Sequence, residues 1–99
     1  MMKLLLVTCI QEYESAVKEI LKHSGAKSFS YQPVKGYSNG TESNAWFVSG
    51  EIATESLLFT VFIDDACKDE LIDGFQKFNS RQVVHTKIHV ACLDINQSI

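Results

Sequence analysis

Two segments of this chain, Leu4 to Cys9 (LLLVTC) and Leu57 to Ile63 (LLFTVFI), are apolar on both of the faces that a strand presents. Successive strand side chains point to opposite sides, so Leu5, Val7 and Cys9 oppose Leu4 and Leu6 in the first segment. In the second, Leu57, Phe59, Val61 and Ile63 oppose Leu58 and Phe62. Each strand therefore needs apolar cover on two sides. A layer of helices packed on one face of a sheet supplies only one of them.

The elements around these strands fix what the first cover is. Glu12 to His23 carries Tyr13, Ala16, Val17, Ile20 and Leu21 at helical spacing, and Gly25 follows the basic pair Lys22 and His23, a helix ending. Ser28 to Val34 reads as a second strand. Ala45 to Val48 followed by Ser56 to Ile63 reads as a third, interrupted near Ser49 and Gly50. Asp64 and Asp65 offer cap oxygens to a second helix with the stripe Leu71, Ile72, Phe75 and Phe78, and Val83 to Ile95 closes the chain as a fourth strand. The order βαββαβ predicts an α+β, ferredoxin-like domain over residues 1–99, a four-stranded antiparallel sheet with two helices on one face. No linker or repeat divides it.

The second face of the sheet is then left without cover by this chain alone. An open apolar sheet face is an aggregation hazard in a monomer, and a second sheet from another copy is the simplest remedy, so an obligate oligomer is expected. Composition narrows the partners. Nine Lys and Arg against 12 Asp and Glu make a formal charge of -3, too mild and mixed for a nucleic-acid footprint. The apolar run from Leu4 to Ile10 is too short to span a membrane and reads as a strand, which excludes direct membrane insertion. Three Cys without paired spacing fit a reducing compartment, so a cytoplasmic protein is expected.

Certain stretches add a family resemblance. Val34-Lys35-Gly36-Tyr37 ends strand two and is followed by a polar run, Leu57 to Asp65 is an apolar strand ending in Asp-Asp, and Lys87-Ile88-His89-Val90 opens strand four. With the element order, these resemble the PII signalling proteins and their PII-like relatives along essentially the whole chain. LLLVTC and the stretch AWFVSGEI (Ala45 to Ile52) are similar to strands of CutA, the divalent-cation-tolerance relative on the same superfamily fold. FSYQPVKGY (Phe29 to Tyr37) is similar to the small PII-like proteins that accompany heavy-metal efflux pumps. The resemblance implies a homotrimer whose three sheets pack around an axis, with small-molecule sites between subunits and a membrane transporter or regulatory protein as partner. The ligand-binding residues that the resemblance implies are Lys35, Gly36, Tyr37 and Asn39 at the loop base and Lys87 before strand four.

The segment from Tyr37 to Asn44 reads either as a plain connection turning at Asn39-Gly40 or as an effector loop presented to a partner. Beyond Tyr37, Ser38, Asn39, Gly40 and Thr41 replace the basic positions of the family, Asn79 to Thr86 lacks the glycines of its second phosphate loop, and the C-terminal basic pair is absent. Multiply charged phosphates need several such donors. The expected ligand is thus an adenine nucleotide of modest charge or a small anion.

A divalent cation such as copper or zinc is the alternative, held by His85 and His89 on one side of strand four. Cys92 lies on the other, and no C-x-x-C or helical H-x-x-x-H adds to the pair. Core packing is the plain reading of Cys9, Cys67 and Cys92, and helix capping that of Asp64 and Asp65. Trp46 either anchors the polar loop or lines a cleft. With no nucleophile motif or phosphate-cradling loop in the sequence, a non-enzymatic protein is expected.

Overall fold

The computed structural model describes residues 1–26, 28–37, 54–82 and 87–99. The expectations placed on Ser38 to Asn44 with Asn39, on Ala45 to Ile52 with Trp46, and on Val83 to Thr86 with His85 lie outside the described residues. The chain runs β1 (Met2–Ile10), a 3-10 turn (Gln11–Tyr13), α1 (Glu14–His23), β2 (Ser28–Gly36), β3 (Thr54–Asp64), α2 (Asp65–Asn79) and β4 (His89–Asp94). The sheet is antiparallel in the order β2-β3-β1-β4, the ferredoxin-like arrangement expected of the α+β pattern.

The two strands that are apolar on both sides are the two central ones. Leu5, Val7 and Cys9 of β1 pair in register with Val61, Phe59 and Leu57 of β3. This row is buried beneath Val17 and Leu21 of α1 and Leu71 and Phe75 of α2, forming the core. Fully burying a side chain of this size contributes about 1.5–3 kcal/mol, so the row accounts for much of the fold's driving force. Gly74 sets the spacing of the helices: a Cβ there would come within 3.2 Å of Ile20 Cγ2. At the end of α1, Gly25 takes φ +74°, the left-handed conformation that closes a helix cheaply only with glycine.

The opposite face is part-exposed at the end where β1 starts, while Thr8 and Ser56 at its other end are buried. Leu4 of β1 stands between Phe62 of β3 and Leu93 of β4 in register, and those two remain 40% and 43% exposed. Leu6 and Leu58 lie on the same face, Leu6 half-buried and Leu58 likewise less than fully covered along the row.

Boundaries differ from the sequence pattern in places. A 3-10 turn replaces the first turn expected for α1, where Tyr13 packs edge-on against Phe78 at 4.9 Å. β2 runs two residues further, to Gly36, and accommodates Pro33 because an edge strand has one side free of ladder bonds. β4 begins only at His89. Asp64 occupies the N-cap of α2 but its side chain makes no cap hydrogen bond, correcting the capping expectation. Instead the Asp65 N–H donates to the Met1 carbonyl at 2.8 Å, and the Asp65 carboxylate lies 3.6 Å from Lys68 and 3.8 Å from Lys3. The first helical N–H is thus met by the backbone just before β1 rather than by a side chain.

Candidate functional site

The residues singled out in the sequence collect at one end of the sheet, where β1 ends, β2 runs out, β3 begins and β4 enters. There Ile10 pairs with Ser56, Ser56 with Val34, Lys35 with Glu55 and Gly36 with Thr54, while His89 pairs with Thr8. Lys35 is exposed, Gly36 is buried and Tyr37 is 59% exposed.

Strand β2 reaches this end on a fixed course. Tyr31 stacks on Phe59 with ring centroids 5.0 Å apart at 20°. Its hydroxyl accepts from Lys18 Nζ at 2.7 Å, and Lys18 also donates to Glu14 Oε2 at 2.8 Å. The hydrogen bond to Lys18 holds the Glu14 carboxyl below its usual range, and the bond to Glu14 lifts Lys18. The edge strand is thereby tied to α1 just before Pro33.

The approach to β4 is braced from the other side. Asn79, the last residue of α2, holds Ile88 through both of its backbone groups: the Ile88 N–H donates to Asn79 Oδ1 and Asn79 Nδ2 donates to the Ile88 carbonyl, each at 2.7 Å. Ile88 itself is buried in the core. Alongside, the Tyr13 hydroxyl donates to Gln82 Oε1 at 3.0 Å. These contacts fix where exposed Lys87 and half-buried His89 stand.

Lys35 shares the helix-covered side with Phe29 and Tyr31, whereas His89 shares the other side with Ala91 and Leu93, and Lys87 stands just before β4. Lys35 is on one edge strand and Lys87 beside the other, three inter-strand steps away, about 14 Å at about 4.8 Å per step. A compact anion touching Lys87 is therefore beyond the reach of Lys35 in the same protomer.

Thr8 lies beside His89 on the side of β1 away from the helices. It is only 5% exposed, and its Oγ1 is buried with no hydrogen-bond partner. The sequence reasoning passed over this residue, although one hydroxyl inside the run LLLVTCI was a visible signal. Burial first, and the Lys87 ammonium second, hold the His89 imidazole below its usual pKa. It is therefore a neutral donor and acceptor at neutral pH.

For metal chemistry the placement is less favourable. Among the described residues no group of three or more His, Cys, Asp or Glu is placed to hold an ion. Burial pushes the Cys9 thiol up to about 12, so it stays protonated and is a poor ligand. Cys92 is exposed on the face of β4 opposite to His89, as alternation required, and His23 Nδ1 donates to the Glu19 carbonyl at 2.8 Å on the helix layer. No helix among the described residues is long and apolar enough to cross a membrane.

No protein-family model and no curated protein matches the chain. Solved structures do. CPII, a nitrogen regulatory PII-like protein from Thiomonas intermedia K12 bound to ADP, AMP and bicarbonate, superposes with a TM-score of 0.66 at 14% identity, covering 99% of this chain and 96% of that one. A DUF3240 family protein from Shewanella baltica gives 0.71 at 13% identity over 98% and 92% of the two chains. A PII-like signalling protein from Thermus thermophilus gives 0.65 at 14% identity over 92% and 82%. At such identities the likeness lies in the course of the backbone, and it extends over nearly the whole chain: the protein has the fold of the PII-like proteins.

Proposed function

We propose that this protein is a non-enzymatic, PII-like regulator that binds a small effector between the copies of a cytoplasmic homotrimer. The observation that carries this reading is the whole-length match to CPII, which is bound to ADP, AMP and bicarbonate, in a chain whose sheet leaves Phe62 and Leu93 exposed beside Leu4 on the face away from the helices. The effector is an adenine nucleotide or a small anion, met by Lys35, Gly36, Tyr37 and Asn39 at the base of the loop and by Lys87. Because Lys35 and Lys87 of one protomer stand on opposite edges of the sheet, a compact effector held by both would take them from neighbouring copies. The segment from Tyr37 to Asn44 reports occupancy to a partner, a regulatory protein or membrane transporter. Linkage requires that the effector bind the two states of that segment unequally.

A thermal-shift screen of EDTA-treated protein tests this with ADP, AMP, ATP, bicarbonate and acetate at millimolar levels, beside copper and zinc at micromolar levels. A ligand bound only by the folded state stabilises it by about 2.7 kcal/mol at a hundred times its Kd. A raised midpoint with a nucleotide or small anion, reduced in Lys35→Ala and Lys87→Ala, is the expected result. A rise with metal alone would replace this reading with that of a metal-handling protein.

A further inference from the structure

On the helix layer, α1 and α2 leave between them a surface cleft of about 360 Å³. Its floor is Gly74 and half-buried Ile20, which packs from there against the core. A glycine inside a helix is unfavourable relative to alanine. At position 74 it lets the helices close to where a Cβ would meet Ile20 Cγ2 at 3.2 Å, and it raises no side chain of its own over the floor.

The rim is charged, and its charges do not balance. On α2, Asp73 is paired with Lys77 at 3.0 Å. Glu70, on the same stripe of that helix, has no ion-pair partner among the described residues. Across the cleft on α1, Glu19 has only His23 beside it, at 3.6 Å, a cation only when protonated. The cleft thus offers two carboxylates, one from each helix and neither with a permanent cation, above an apolar floor.

We infer that this cleft is a docking site for a protein partner, and that it takes an arginine side chain from an exposed basic segment of that partner. Arginine buries its methylene stem along apolar surface while its charged head stays in a polar rim. Here the stem would lie on Ile20 and Gly74 and the head between Glu19 and Glu70. The planar guanidinium carries enough donors to serve both carboxylates at once. A bare metal ion suits the cleft less well, since no group of three or more His, Cys, Asp or Glu among the described residues is placed to hold one. The formal charge of -3 on the chain favours the approach of a basic partner. Because the cleft is on the helix layer, contact between copies through Leu4, Phe62 and Leu93 on the other side of the sheet leaves it accessible. The inference goes beyond the effector reading and does not depend on it.

Nuclear magnetic resonance of the isotope-labelled full chain tests the inference, with acetyl-Ala-Arg-Ala-amide as the probe and acetyl-Ala-Gln-Ala-amide as its neutral control, both at millimolar levels. The arginine peptide should shift the backbone signals of Ile20, His23 and Gly74 in a saturable way, and the glutamine peptide should not. Ion pairs at a wet rim are individually weak, so Glu19→Gln and Glu70→Gln should each raise the Kd about threefold and the double variant about tenfold. Asp69→Asn removes an exposed carboxylate that does not line the cleft and should leave the Kd unchanged. Equal weakening by Asp69→Asn would mean general charge attraction and would overturn the inference, as would the absence of saturable shifts at the cleft. Shifts of the same signals on concentrating the peptide-free protein would give the cleft to a second copy, with the same consequence.

Discussion

His89 is half-buried beside Thr8, and its imidazole is held below the usual pKa by burial and then by Lys87. The consequence for stability has a definite sign. The unfolded chain takes up a proton near pH 6.5, whereas the folded chain does so only at a lower pH. Above about pH 6.5 the group costs nothing, and stability falls as the pH drops from there through the folded value. Urea midpoints at about pH 7.5 and pH 5.5 should therefore differ more for the wild type than for His89→Gln, and equal differences would contradict the burial argument. The same residue shows what was legible at this scale. Alternation along strand four placed His89 opposite to Cys92 correctly. The Thr8 hydroxyl in its apolar run was visible in the sequence, but not that it would lack a partner, because that depends on strands far away in sequence.

At the scale of elements, the first helix ends where the residue types said it would, just before Gly25. What ties α2 to β4 was not legible. Asn79 grips both backbone groups of Ile88, nine residues away, in a part-buried setting. Asn79→Ala leaves that N–H and carbonyl without their partners and should cost about 2–3 kcal/mol, read from chemical denaturation. A loss within experimental error would mean that the entry to β4 is held by something else. Asn79→Asp, which keeps the acceptor and loses the donor, should fall between the wild type and Asn79→Ala. The cap of α2 teaches a similar lesson. Asp64 has the right residue type and backbone, yet the N–H that follows is met by the Met1 carbonyl, since the strand order brings the start of β1 alongside the end of β3.

For the whole molecule, the open row of Leu4, Phe62 and Leu93 is the feature with the largest consequence. The proposed assembly of three copies would bury this row, and a charge placed in it would then have to be desolvated. Light scattering should give three times the chain mass for the wild type and a shift toward one chain for Phe62→Lys, with the far-ultraviolet dichroism of the fold retained. A wild-type mass of one chain at micromolar concentration would remove the assembly from the proposal. A domain of this size leaves much of its surface wet when alone, which gives the row added weight.

The sequence by itself determined the element order, the two central strands and the need for a cover on each of their faces. Those properties are carried by local periodicity: a period of two writes a strand, a period near 3.6 writes a helix, and side chains apolar on both sides mark a strand buried twice. Only the tertiary structure decided which strands pair, and with that which polar groups become neighbours. It put Lys35 and Lys87 on opposite edges of one sheet and set Thr8 beside His89, because register is settled by packing the buried row, and every residue on the other face follows from it.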